Sequence, residues 1–483
     1  MAIKYSGVRE SKPDRFTDFT MDSKEAEGKF ASGQMPCARG ANRTFETSIQ
    51  CQEINSMSCL MTLNDAVFVV HSPLGCVGCT SMAVEWYRVG QARRGVKVIK
   101  DPRIIVTNLD SKSVVFGGEA KLREAVHKAI DRYSPKMIFV FSSCACAIIG
   151  DDLDAITDSL QEETGVPVIP IHCEGFKSRL FASGYDAAFM AIQKKLLPKE
   201  KPEKIDNLIN LFAPVTVSYT DQIEMTRMLN AIGLDVNYFP YYSSLEGIER
   251  VPKAIASTSI CKVFADEFMK QLEDQYDIPY SHTVMPVGVR NTDTWFRGVA
   301  KVTGKEKEVE EIIAREHERI EPKIREIRKR LEGKTACVEG GVGRSFAAAV
   351  LAEDFGMKLI GINTAAYDTS VQKDVEYLNE NNHYQVMVSG QYFEVVNMIG
   401  KLKPDVFLGF TSYAVYFGIP TSNVLDAKRS TMGYDGLLYL GMKIAEQLEN
   451  PGFNKKFAEN WKSPFKDSWL ADDPYKFLER GDV

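Results

Sequence analysis

The sequence predicts an α/β chain organised as three open, mainly parallel sheets. Two observations carry that expectation. Apolar runs of strand length alternate with segments of helical period from residue 51 onward, the pattern of strand–crossover–strand units. The chain has 483 residues, too many for one core. Charge-rich stretches at 199–206 (KEKPEKID) and 305–334 divide it. The expected organisation is an N-terminal arm over 1–50, then units over 51–205, 206–334 and 335–483.

Bulk properties remove several classes. The chain is 44% hydrophobic and 26% charged with a net charge of −6, so neither nucleic acid nor an anionic membrane is an expected partner. No apolar run approaches the roughly 20 residues of a membrane helix. The first residues, MAIKYSGVRESKPDRF, lack the apolar core of a secretory signal. The expected location is cytoplasmic. Ten cysteines then need a reason, because disulfides are rare in that compartment.

Taken in order, the arm is polar and contains Cys37, a weak ligand candidate. The spacing predicts strands over 65–71, 103–109, 137–143 and 166–173, with helices over 81–90, 119–133 and 151–165. The second unit reads as strand 212–218, helix 222–232, strand 234–240, helix 245–255, then 257–261 ending on Cys261, and helix 263–276. Residues 305–334 read as a solvated helical connector, broken or kinked at Pro322. The third unit opens with strand 335–339, a turn GGVGRS over 340–345, and helix 346–356. Strands at 358–363, 385–389 and 405–409 follow. The turn at Gly340 and Gly341 either cradles an anion on backbone N–H groups or is a tight structural turn. Its spacing is not that of a dinucleotide site.

Cysteines cluster after strands: HSPLGCVGC carries Cys76 and Cys79, SSCACAIIGDD carries Cys144 and Cys146, and PIHCEGF carries Cys173. In open parallel sheets ligands sit beyond the carboxyl ends of the strands. Cys59 and Cys337 suit buried core thiols. Cys76-x-x-Cys79 fits half a zinc site or a redox pair, but only His71 and His172 lie near it. All-thiolate iron–sulfur ligation tolerates wide spacing.

These motifs resemble the component 1 subunits of nitrogenase and its relatives, over nearly the whole chain. The resemblance implies three Rossmann-like open-sheet domains around a metallocluster site. It implies that Cys51, in CQEINSMSC, joins Cys76 and Cys144 as metal ligands for one half of a P-cluster-like eight-iron, seven-sulfur group at a subunit interface. Cys79 and Cys146 fall outside the family pattern. Cys261, fifteen residues before the Tyr276 of YDIPY, matches the cysteine that caps the large cofactor in α-type subunits.

Departures accompany the match. The position of the family histidine after CEGF is Tyr185, that of a glutamine is Phe181, and that of an arginine after HSPLGC is Val84. TSNVLDAKRSTM contains no histidine for the heterometal end of the cofactor. GFTSYAVYFGIP lacks the lysine that binds the cofactor's organic acid. The implied cofactor is therefore an all-iron iron–sulfur cluster without homocitrate.

The activity expected from this combination is that of a nitrogenase-like methylthio-alkane reductase. Such an enzyme uses an ATP-dependent iron protein to cleave C–S bonds of small thioether substrates. A homologous β-like subunit in an α2β2 assembly is implied. The alternatives are a non-catalytic cofactor-assembly scaffold and an alternative nitrogenase α subunit. Tyr185 is the candidate proton donor or a packed aromatic. Arg344 is expected to supply positive potential to an anionic cofactor, with Gly340 and Gly341 beside it. His282 faces the pocket or is structural.

Overall fold

The structure, a computed structural model, describes residues 16–17, 21–24 and 51–471, apart from 79–80, 178–181, 215, 262, 283, 366, 369–370, 389, 391, 410–412, 427 and 463–465. The expectations for Cys37, Cys79 and Phe181 lie outside the described residues.

Three parallel sheets form. The first holds β1 (Ala66–His71), β2 (Ile104–Val106), β3 (Met137–Ser142) and β4 (Val168–Ile171) in the order β2-β1-β3-β4. The second holds β5 (Leu208–Ala213), β6 (Asp235–Pro240), β7 (Ala256–Ser259) and β8 (Tyr280–Ser281) in the order β8-β7-β5-β6. The third holds β9 (Thr335–Gly340), β10 (Lys358–Thr364), β11 (Gln385–Val388), β12 (Val406–Leu408) and β13 (Thr421–Ser422) in the order β13-β12-β9-β10-β11. Met21–Asp22 adds an antiparallel edge to β11. The α/β expectation of three open parallel sheets therefore holds. β1 and β3 are buried at every position, as strands covered on both faces must be.

In each sheet the first strand has later strands on both sides, so each has one point where the strand order reverses. The crevice lies between β1 and β3, between β5 and β7, and between β9 and β12. Ligands collect at such points. Cys76 and Cys144 follow β1 and β3, Cys261 follows β7, and Gly341 and Arg344 follow β9. One reading of the topology thus gathers the expected site residues at three crevices.

Several expected elements shift for physical reasons. The strand expected over 212–218 is instead Leu208–Ala213, because Pro214 has no N–H to continue a ladder. The helix expected over 245–255 ends at Arg250, and a single turn Val251–Lys253 containing Pro252 follows. The expected connector is not solvated and not broken. It is one helix, Glu306–Leu331, running through Pro322. A proline inside a helix costs about 3 kcal/mol. This helix buries Val309, Ile312, Ile313, Ile320, Ile324, Ile327 and Leu331, and each such side chain contributes about 1.5–3 kcal/mol, so burial wins. The helix expected over 346–356 starts at Val342, four residues earlier, which puts Arg344 in its first turn.

The helices that position the site are α1 (Gln52–Leu60), α2 (Leu74–Val77), α3 (Ser81–Arg93), α4 (Glu119–Tyr133), α5 (Cys144–Ile149), α6 (Leu153–Thr164), α7 (Ser183–Lys195), α8 (Asp266–Tyr276), α9 (Glu306–Leu331), α10 (Val342–Asp354) and α11 (Gly433–Glu449). An aromatic cluster joins the first two sheets: Phe189 of α7 stacks on Phe268 of α8 at 4.8 Å and meets Phe212, Phe239 and Phe264. Helix α1 lies on α7 at backbone contact. A Cβ at Gly184 would stand 2.5 Å from the Gln52 carbonyl oxygen and 3.0 Å from the Ser56 nitrogen. Ser56 Oγ donates to the Gly184 carbonyl at 2.7 Å, and Gln52 Nε2 to Ser183 Oγ at 2.7 Å.

Candidate functional site

Three cysteines from three elements meet at one edge of the first sheet. Cys51 is the N-cap of α1, Cys76 lies in the short helix α2, and Cys144 is the first residue of α5. Helix N-termini favour thiolates. Burial pushes the Cys51 thiol up, while the amides of Ile54 and Glu53 pull it back; the nearby Cys144 raises it. Gly175, from the CEGF turn, marks where the thiols converge. A Cβ there would stand 2.9 Å from Cys51 Sγ and 3.6 Å from Cys144 Sγ, so it would crowd the Cys51 sulfur and only touch that of Cys144. Cys76 is close enough to the buried carboxyl of Glu53, two residues from Cys51, to shift it.

All three cysteines are half-buried. Among the described residues no three His, Cys, Asp or Glu side chains close around a single ion. Apolar side chains next to these thiols are exposed: Leu74 (64%), Ile148 (75%) and Phe176 (58%) neighbour Cys76, Cys144 and Gly175 in the chain. Exposed apolar side chains grouped this way mark a surface that another chain covers.

The remaining polar groups here are structural. Cys146 turns inward: its Sγ lies 3.1 Å from both the Ser143 nitrogen and the Ser143 carbonyl, and 3.3 Å from Ser142 Oγ. It is buried. Cys173 is fully buried with Sγ 3.4 Å from the Ser142 carbonyl, and burial first, then Glu53 and Glu174, push its thiol well up. His71 is buried between Thr107 at 3.2 Å and Asp151 at 3.0 Å, which explains the GDD aspartate. Glu174 Oε1 accepts from Ser142 Oγ at 2.7 Å, and its Oε2 forms an ion pair with Lys177 Nζ at 2.7 Å. Against the cost of its burial, hydrogen bonds from His172, Lys177 and Ser142 bring its carboxyl down to about 2. Glu53 differs: burial pushes its carboxyl up to about 7, against the Cys76 hydrogen bond, and its Oε1 is buried without a hydrogen-bond partner.

The second cluster of expected residues lies where the second and third sheets meet. Cys261 is half-buried, and its N–H donates to Ser259 Oγ at 3.3 Å. Tyr185 packs edge-on to Phe264 at 4.8 Å; burial and then Cys261 push its phenol far above the ordinary value. Arg344 is only 4% exposed. Its Nη1 donates to the Val424 carbonyl at 3.0 Å, and Nη2 is buried with no hydrogen-bond partner. Burial lowers the guanidinium to about 10, with Asp221 and Cys261 opposing. A Cβ at Gly341 would meet nothing within 4 Å, whereas one at Gly340 would press on the Ser345 nitrogen at 3.1 Å. Gly340 serves the turn and Gly341 faces open space.

Sequence reasoning missed Asp221. It is buried and accepts from Thr431 N at 2.6 Å and Met432 N at 3.2 Å through one oxygen, and from Ser218 Oγ at 2.7 Å through the other. Arg344 and Asp221 therefore anchor the two ends of the segment that lacks the family histidine. Val84 packs as a half-buried side chain against the aromatic core. His282 follows β8, half-buried.

The donor set and the buried unpartnered guanidinium nitrogen fit anionic metal clusters: three half-buried thiols at the first crevice, and a thiol with a cation at the other two. The chain has matching relatives. The family model for nitrogenase component 1 type oxidoreductases matches residues 51–449. The nitrogenase iron-molybdenum cofactor biosynthesis protein NifE of Clostridium pasteurianum is 30% identical, over 89% of this chain and 93% of its own length. NifE of a Methanococcus maripaludis strain is 29% identical over 86% of each. The nitrogenase molybdenum-iron protein alpha chain of Methanosarcina barkeri is 28% identical over 65% of this chain and 58% of its own. The solved structure of nitrogenase Cp1 at pH 5 superposes with a TM-score of 0.72 at 22% identity, covering 96% of this chain and 98% of that one. The chain belongs to the nitrogenase component 1 family.

Proposed function

We propose that this chain is the α-like, cofactor-bearing half of a two-subunit iron–sulfur protein. Cys51, Cys76 and Cys144 hold one side of a P-cluster-like group, and a homologous β-like subunit in an α2β2 assembly holds the other. Cys261 holds a large, all-iron iron–sulfur cofactor without homocitrate, between Tyr185 and Arg344. The observation that carries this reading is the approach of two cysteine sulfurs to Gly175 beside exposed apolar side chains.

Within this frame the chain serves as the α-like subunit of a scaffold on which a nitrogenase-type cofactor is completed. Similarity to NifE along most of both chains supports this. Arg344 then acts electrostatically: a buried guanidinium with a free N–H holds an anionic cluster without covalent attachment, and a single cysteine leaves the cluster able to depart.

A second reading, reductive C–S cleavage of a small methylthio-alkane, is favoured by Tyr185. Bound clusters supply low-potential electrons, delivered by an ATP-dependent iron protein. Two electrons and two protons convert the thioether to an alkane and methanethiol. Tyr185 holds its proton tightly at Oη, so it gives that proton only to a strongly basic atom. Its ring and Phe264 exclude water from the Cys261 side.

One experiment separates the readings. The chain is purified anaerobically with its sister subunit, then assayed for methanethiol release with iron protein, ATP and reductant, and for transfer of a cluster precursor to a cofactor-free acceptor. Transfer without turnover supports the scaffold; turnover overturns it in favour of the reductase. A Cys261→Ala chain that retains its full iron content sinks the cofactor site in both.

A further inference from the structure

The edge of the first sheet holds a cavity that neither reading uses. β4 is the last strand of that sheet. Helix α6 covers one of its faces through Leu153, Ile156 and Leu160, and α7 covers the other through Ala188 and Ile192. Between the two helices, at the strand's edge, lies a space of about 210 Å³. Helix α7 turns Ala187, Met190, Ala191 and Lys194 toward it, positions i, i+3, i+4 and i+7 that share one helix face. Two alanines on that face leave room that longer side chains would fill. Pro170 of β4 completes an apolar wall.

Four ionisable side chains line the rest: Asp154, His172, Lys194 and Lys195. Three of them are already matched. His172 Nε2 lies 2.8 Å from Asp154 Oδ2, and Glu174 first, then Asp154, raise the imidazole's pKa against the cost of burial. Lys195 Nζ lies 2.5 Å from Asp158 Oδ1. Asp158 is one turn along α6 from Asp154, so the lysines stand about 5 Å along from the His172–Asp154 pair. Lys194 has no ion pair among the described residues. A cation left over beside an apolar wall suits an anion whose other end is hydrocarbon. Pockets for drug-sized ligands hold about 300–1,000 Å³, so this smaller one takes a shorter molecule. We propose that the cavity binds a small aliphatic carboxylate, its carboxylate on Lys194 and its chain against Pro170, Ala187, Met190 and Ala191. A dianion fits less well, because the Asp154 carboxylate lines the same space. The lining includes none of the thiols at 51, 76 and 144, so binding there does not require a cluster.

The test titrates hexanoate into the full chain, followed by calorimetry and by saturation-transfer NMR, in wild-type, Lys194→Gln and Ala191→Phe forms. Hexylamine, with the same chain and the opposite charge, is the comparison ligand. In the wild type hexanoate binds saturably and hexylamine does not. Lys194→Gln weakens hexanoate by about fivefold, as the loss of one exposed ion pair predicts. Ala191→Phe puts a ring into the cavity and removes saturable binding. The unfolding midpoint of each variant shows whether it is folded. Should Ala191→Phe not fold, Lys194→Gln decides, because that side chain is exposed and its loss leaves the packing as it is. Absence of saturable hexanoate binding to the wild type overturns the proposal. So does hexylamine binding as tightly as hexanoate, which means that charge plays no part. An unchanged hexanoate affinity in Lys194→Gln, or in a folded Ala191→Phe, puts the ligand elsewhere and overturns it too.

Discussion

Replacing Gly184 by alanine tests whether the α1–α7 contact is as rigid as it looks. The added Cβ would lie 2.5 Å from the Gln52 carbonyl oxygen, 2.9 Å from Asn55 Cβ and 3.0 Å from the Ser56 nitrogen. Ordinary contacts between such atoms are about 3.5–4.0 Å, and two of the three atoms are backbone, so the helices must part by about 1 Å. Overpacking of this kind costs about 1–3 kcal/mol. The Ser56–Gly184 and Gln52–Ser183 hydrogen bonds, both 2.7 Å, stretch past useful length and give up about 1 kcal/mol each. Alanine's better helix propensity returns about 1 kcal/mol. The expected net loss is about 2–4 kcal/mol, read as a lower midpoint in thermal or denaturant unfolding of the metal-free chain. Gly452→Ala is the control, because a Cβ there meets nothing within 4 Å. Equal midpoints for Gly184→Ala and wild type would refute the reasoning, by showing that the contact relaxes without cost.

Other outcomes follow from single features. Glu53 has a folded pKa of about 7 against an ordinary 4.5, so its contribution to stability is full below about 4.5 and is lost as the pH rises through 7. At about 1.4 kcal/mol per pH unit that is about 3 kcal/mol, and the difference in unfolding free energy between Glu53→Gln and wild-type metal-free chains, read from denaturant unfolding, should change by that amount between pH 4.5 and 8. Phe189→Ala, which removes a 1% exposed ring from the aromatic cluster, should cost about 3–5 kcal/mol in unfolding free energy. Arg344→Met should stabilise the metal-free chain by about 1–3 kcal/mol, since it removes a buried charge with an unpartnered N–H, while lowering retained cofactor iron. Cys144→Ser should reduce half-site iron, and Cys146→Ser should leave it unchanged, because that thiol is occupied by Ser142 and Ser143.

Much of the architecture was legible because it is local. β1 and β3 are apolar runs that announce buried parallel strands, and Cys76 and Cys144 stand just beyond them. Parallel topology then puts both at one edge with no further information. The residues that complete the site were not legible. Glu53 reads in CQEIN as an acidic side chain favouring a helix N-terminus; only the fold brings it to Cys76. Asp221 bonds to Thr431 across 210 residues, and no periodicity encodes that. Gly175 and Gly184 look like ordinary loop and helix glycines until the facing sulfur and carbonyl are in place. The misjudged helix 306–331 shows the reverse error: its charge hid a stripe of isoleucines at helical spacing, and Pro322 looked more disruptive than a well-buried helix allows.

The three crevices carry a consequence for how such a chain changes over time. At each, the sheet supplies stiffness through residues buried on both faces, and the reactive side chains ride on short segments after the strand ends. Substituting a thiol, a tyrosine or a guanidinium there alters what is held without disturbing a strand ladder. The three ports are also set by separate stretches of sequence. A lineage could therefore change the side chains at 261, 341–344 and 421–432 while those at 51, 76 and 144 stay as they are, so that each crevice varies on its own.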